Sequence, residues 1–203
     1  MQFVFSRGNI HGRTKTRFKL LKLSREIHLI GIIQRITRQN DLYKRKELSL
    51  LKGLSYEEMD RLAKQFYEEK IIPELVTETN DELKKKQKEG YRIVIVSGAF
   101  DIYLKYFCMD NGVYDIIATT LDFQNGKFQG KWSGTDCMRE EKINRYERWM
   151  KDNHVTGKPA ICYSDSITDL PILKYCNEAV VISRNNHQHW IDQYHFNEIV
   201  WNK

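Results

Sequence analysis

The chain has 203 residues, 41% of them apolar and 30% charged, with only 3 Pro and 11 Gly, a composition that excludes a fibrous or disordered protein. The longest apolar run, Ile27 to Ile33, is interrupted by His28 and Gly31, so no stretch approaches the roughly 18 residues of a membrane span. The net charge of +6 is local: residues 1–50 hold 12 Lys/Arg against 3 Asp/Glu, whereas residues 51–203 hold 21 against 24.

The apolar start, Met1 to Phe5, is too short for the apolar core of a secretory signal, and a cytoplasmic location is expected. The basic segment that follows, with Arg13, Lys15, Arg17, Lys19, Lys22 and Arg25, has the charge to attract phosphates or an anionic surface. Its charges are interleaved with Leu20, Leu21, Leu23, Ile27, Ile30 and Ile33 at helical spacing. That pattern reads better as the solvated face of one or two helices over residues 14–37 than as a nucleic-acid surface.

Farther along, Ser55 with Glu58 three residues later forms a capping box for a helix from Tyr56 to about Ile71, with Met59, Leu62, Phe66 and Tyr67 facing inward. Pro73 ends it. Another helix is predicted from Asn80 to Glu89, with Gly90 as its left-handed stop. Beyond Tyr91 strands and helices alternate. Arg92 to Val96 is a short apolar, β-branched strand, Ala99 to Asp110 a helix and Tyr114 to Ala118 a second strand. Asn125-Gly126 between Leu121 and Trp132 marks a hairpin. A helix over Arg139 to Asn153, a strand over Pro159 to Tyr163, a short helix over Leu170 to Cys176 and a strand over Ala179 to Ile182 complete the series.

Such alternation predicts an α/β protein with a doubly wound, mostly parallel sheet, whose ligand site lies beyond the carboxyl ends of the strands. Polar residues cluster at those ends. Ser97 and Gly98 follow R-I-V-I-V, and Ser164 to Asp169 follow A-I-C-Y, while Lys142 stands in the long helix at C-M-R-E-E-K. Singly, each has an ordinary explanation as a turn, a cap or a solvated lysine.

In this order, however, V-I-V-S-G-A at 94–99, Lys142, and Y-S-D-S-I-T-D-L-P at 163–171 resemble the haloacid dehalogenase-like hydrolases, in the phosphoserine-phosphatase-like branch. The resemblance implies a Rossmann-like core at residues 79–203, with the hairpin at 120–133, and an inserted, mainly helical cap at residues 1–78. It further implies phosphate binding by Ser97, Gly98 and Lys142, Mg²⁺ held by Asp165 and Asp169, and a small phosphorylated substrate. These residue types suit the chemistry, because phosphoryl transfer needs cations and donors around the phosphoryl oxygens, and Mg²⁺ prefers carboxylate and water oxygens.

The family's nucleophile and acid/base come from an Asp-x-Asp motif on its first core strand, and here no Asp precedes Asp41. Two explanations stand. Either Gln2 to Phe5 is a degenerate first strand and Ser6 to Asn9 replaces the motif, giving a phosphoryl-ligand binder without turnover. Or the strand and its motif lie upstream of Met1, as the short spacing from Asn9 to Gly53-Leu54-Ser55 favours.

The cysteines Cys108, Cys137, Cys162 and Cys176 lack metal-ligand spacing and read as reduced, buried thiols. His187, His189 and His195, with Trp190 among them, suggest a metal site. Without an evident acidic partner they read as a solvated C-terminal helix.

Overall fold

The computed structural model describes residues 42–201. The helices expected at 14–37 and the missing or degenerate strand expected at 1–5 lie outside the described residues, as does the basic segment from Arg13 to Arg25. In chain order the elements are α1 (Leu42–Ser49), α2 (Tyr56–Phe66), α3 (Thr77–Lys88), β1 (Val94–Phe100), α4 (Asp101–Asp110), β2 (Asp115–Thr119), β3 (Leu121–Gln124) and β4 (Lys127–Trp132). There follow α5 (Glu140–Asp152), β5 (Ile161–Ser164), α6 (Leu170–Tyr175), β6 (Glu178–Arg184), α7 (Trp190–Tyr194) and β7 (Asn197–Trp201). No helix among the described residues is long and apolar enough to cross a membrane.

The described chain forms two compact units. One gathers residues 42–73, 102–106 and 120–134. Here the Ser55–Glu58 capping box forms as the sequence predicts, with both reciprocal hydrogen bonds present. Met59, Leu62 and Tyr67 are buried, and a single wide turn carries the helix on from Tyr67 to Ile71. The hairpin β3–β4 turns at Asn125 and Gly126, both at positive φ (49° and 71°), the geometry that makes Asn-Gly the favoured pair. Its second strand is tied to the helical segment by Gly53 N–H to the Phe128 carbonyl and Phe128 N–H to the Leu54 carbonyl. Phe128 itself is fully buried.

The other unit, residues 74–101, 107–119 and 135–201, holds the parallel strands. Among the described residues β1 pairs with β2, while β5, β6 and β7 form a separate three-stranded parallel sheet. Ile117, Cys137 and Tyr146 form the core beside β1 and β2, with Val94, Val96 and Trp149 packed against them. Leu173, Ala179, Val181 and Ile191 form the core beside β5 to β7. Parallel strands with helical crossovers bury such β-branched runs, and the α/β expectation is borne out.

Three expectations are corrected. The segment after β6 is not a helix over the histidines but a short α7 followed by the edge strand β7, because Asn185 at φ 63° turns the chain back and its N–H donates to the Trp201 carbonyl. Cys162 and Cys176 are joined as a disulfide, their Cα atoms 6.1 Å apart, so only Cys108 and Cys137 remain as free, buried thiols. The pair is 14 positions apart in sequence, and only the fold of β5 against the end of α6 brings them together. Finally, β1 runs on to Phe100, placing Ser97 and Gly98 inside the strand rather than after it.

Candidate active site

The carboxyl end of β1 is irregular. Ser97 pairs with Ala118 and Phe100 with Thr119, so Gly98 and Ala99 are extra residues bulged out of the ladder. Bulges of this kind re-aim side chains at strand ends. The Ser97 hydroxyl oxygen accepts a hydrogen bond from Ala99 N–H at 3.1 Å, which leaves its proton available to donate. Gly98 is required by close approach: a Cβ there would overlap the Met138 sulfur and press on the Cys137 carbonyl at 3.3 Å.

Thr119, fully buried at the end of β2, closes the bulge. Its hydroxyl lies 2.5 Å from the Asp136 carboxylate and 3.3 Å from the Gly98 carbonyl, and it accepts the Cys137 N–H at 3.0 Å. The loop from Thr135 to Met138 is fixed further by Arg145, which donates to the carbonyls of Ala118 and Thr135 and to Glu141. Burial pushes the Cys137 thiol above its ordinary range, which suits packing rather than reactivity.

From this loop α5 begins at Glu140 rather than at Arg139, whose φ of 53° is incompatible with a helix. Within the first turn of this helix, Lys142 is 6% exposed. Its Nζ lies 2.5 Å from Oδ2 of Asp169, which is 8% exposed. Asp169 ends the short turn Ile167–Asp169 and leads into α6, where Pro171 occupies the first turn. The same Oδ2 accepts the Ser164 hydroxyl at 2.8 Å, and Ser164 Oγ in turn accepts Ser166 N–H at 3.2 Å. Ser166 caps the turn by accepting Thr168 N–H. Asp165 stands exposed on this turn, four residues before Asp169.

Thus Lys142 and Asp169 are in direct contact, and Ser97 and Gly98 are connected to the start of α5 through Thr119, Asp136 and Cys137. Two contributors are not singled out in the sequence: Thr119 and Arg145. Thr119 ends a parallel strand, and that position alone is the signal that could have found it.

These strand-end residues stand in the chain order that the sequence resemblance implies. The family model described as haloacid dehalogenase-like hydrolase matches residues 6–174. The chain belongs to the haloacid dehalogenase-like hydrolase family. Among its relatives, a histidinol-phosphatase of Neisseria meningitidis serogroup C is 28% identical over 148 residues, covering 70% of this chain and 66% of that protein. A phosphoserine phosphatase of Methanocaldococcus jannaschii is 29% identical over 131 residues, 64% of this chain and 58% of that protein. The chain therefore spans less than two thirds of the length of the curated relatives it matches. In fold it is similar to a Bordetella pertussis protein of unknown function, at a TM-score of 0.76 and 20% identity over 97% of this chain and 87% of that one. These relatives bear out the phosphoserine-phosphatase-like branch for this haloacid dehalogenase-like hydrolase.

Proposed function

We propose that this haloacid dehalogenase-like hydrolase serves a Mg²⁺-dependent phosphomonoesterase reaction on a small phosphorylated metabolite. The observation that carries the reading is the buried Lys142–Asp169 pair beside the exposed Asp165, at the carboxyl end of a parallel strand. The relatives named for histidinol phosphate and phosphoserine support a small phosphomonoester as substrate. In this reading residues 1–78 act as the cap that selects it, and residues 79–203 with the hairpin at 120–133 act as the core.

The residues present fit a hard divalent cation. Asp165 and Asp169 offer only oxygen, and neither contact to Asp169 Oδ2 uses its Oδ1. When bound there, Mg²⁺ would neutralise charge on the phosphoryl oxygens. The chain's own groups do the remaining electrostatic work. Ser97 donates its hydroxyl proton to a phosphoryl oxygen, and Lys142 supplies a fixed positive charge shielded from water, where it acts more strongly than in solvent. Asp169 and Ser164 hold that ammonium in place.

What attacks phosphorus in this family is the first Asp of Asp-x-Asp, and residues 1–40 contain no Asp. That fact favours a second reading for these 203 residues by themselves, a phosphoryl-ligand site that binds without turnover. One experiment addresses both. The 203-residue chain is titrated with inorganic phosphate with and without Mg²⁺, then assayed on an aryl phosphate. Mg²⁺-dependent phosphate binding that is lost in Asp165→Asn and Lys142→Ala, with no hydrolysis, is expected. Binding indifferent to both substitutions sinks the site, and hydrolysis at a rate unaffected by Asp165→Asn sinks the mechanism.

A further inference from the structure

A second group of ligating side chains, not used by the reading above, lies where the loop after β6 meets α7 and β7. His187 sits in the loop after β6, His189 immediately precedes α7, and Asp192 lies in α7. Each brings one ligand atom within 4.8 Å of the other two. Nε2 of His187 is 2.9 Å from Oδ2 of Asp192, and the two imidazole rings meet edge to face with centroids 5.9 Å apart. His195, at the end of α7 with φ 53°, is not part of the group. The acidic partner that the histidine pattern lacked in sequence is Asp192, which the turn of α7 swings back beside His187.

Glu198 of β7 adds an independent observation. Its Oε2 lies 2.5 Å from Nδ1 of His187, and its side chain is only 16% exposed. A carboxylate bound to one nitrogen of a histidine whose other nitrogen faces further ligands is the arrangement that fixes the ring in metal sites. The loop is itself pinned, since Asn185 N–H donates to the Trp201 carbonyl at 2.7 Å.

We propose that His187, His189 and Asp192 bind a zinc-class divalent transition ion, with Glu198 orienting His187 from behind. Two imidazole nitrogens and one carboxylate oxygen suit zinc rather than Mg²⁺ or Ca²⁺, and three protein ligands leave one position for water. Ligand atoms on a tetrahedral ion at about 2.0–2.1 Å stand about 3.3 Å apart. The 2.9 Å between His187 and Asp192 therefore needs to open by only a few tenths of an ångström. The ion would fasten the loop after β6 to α7 and, through Glu198, to β7.

The test is calorimetric titration of the 203-residue chain, disulfide intact, with Zn²⁺ in the presence of excess Mg²⁺. One equivalent is expected to bind and to raise the melting temperature. His187→Ala, His189→Ala and Asp192→Asn should each weaken that binding by at least about tenfold, while their circular dichroism without zinc stays that of the wild type. Glu198→Gln, which removes no ligand, should weaken it about 10–100-fold. No zinc binding, or affinity unchanged in His187→Ala, overturns the proposal. Neither result bears on phosphate binding at Lys142 and Asp165, so the two readings fail separately.

Discussion

The two parallel sheets of the larger unit end in different chemistry. At the carboxyl end of β1 and β2 a buried hydroxyl, Thr119, joins Gly98, Asp136 and Cys137 through hydrogen bonds in which backbone groups take most of the roles. At the carboxyl end of β5 the joining element is an ion pair, Lys142 to Asp169, with Ser164 as its third member. A network centred on one hydroxyl loses one bond at a time when a member is removed. A buried ion pair that loses one member leaves a charge with nowhere to go. The donor side of the proposed phosphoryl site is thus built to be tolerant, and its charged side to be all or none.

The largest effect should come from breaking the charged side. Lys142→Met strands the Asp169 carboxylate with Ser164 as its remaining polar contact, and removal of one partner from a buried pair costs about 3–5 kcal/mol. Urea unfolding should show the midpoint falling accordingly, while the double substitution Lys142→Met with Asp169→Leu recovers most of the loss. If Lys142→Met costs no more than an exposed ion pair does, under about 1 kcal/mol, the contrast between the two ends disappears.

On the hydroxyl-centred side the effect should be smaller. Thr119→Val keeps the shape but removes the acceptor of Cys137 N–H and the link to Asp136, and unsatisfied buried groups cost about 1–3 kcal/mol each. Thr119→Ser, which keeps the hydroxyl, should cost less by the same measurement. The reverse ranking would mean that methyl packing, not the hydroxyl, holds the bulge.

Both ends show what the sequence could and could not reveal. The Asn125-Gly126 turn and the Ser55–Glu58 cap are written in neighbouring residues and form where expected, while the run R-I-V-I-V marks a strand that starts two residues later and runs on to Phe100. Lys142 and Asp169 were named as site residues only through family order, since 27 positions separate them and no local pattern shows that they touch. The Cys162–Cys176 disulfide and the His187–Asp192 contact escaped for the same reason, being products of chain reversal around α6 and α7. Strand β7, N-E-I-V-W, has a pattern too short to distinguish from the end of a helix. What propensity and periodicity do not carry is which distant residues the backbone brings together.

The start of the β1–β2 pair sharpens the comparison, because it too carries an ion pair, but a partly exposed one. Asp115 at the first position of β2 accepts Arg92 Nε at 2.6 Å and Nη2 at 2.8 Å, and its Oδ1 also accepts the Trp149 indole N–H at 3.1 Å. The Arg92 hydrogen bonds hold the Asp115 carboxyl below its ordinary value of 3.8, against the opposing effect of partial burial. A carboxyl whose folded pKa is depressed contributes stability that is present above the unfolded pKa and is lost as pH falls through the folded value. Wild type should therefore lose stability relative to Asp115→Asn as pH is lowered from about 5 toward 2, since the amide does not titrate. The difference at neutral pH should be smaller than that for Thr119→Val and should shrink further in high salt, because the Arg92 side chain is 49% exposed. Urea titrations at a series of pH values check this. A gap between wild type and Asp115→Asn that stays constant down to pH 2 would show that Asp115 acts there through its hydrogen bonds and not its charge, making the pair resemble the hydroxyl-centred end of the same strands rather than the Lys142–Asp169 pair.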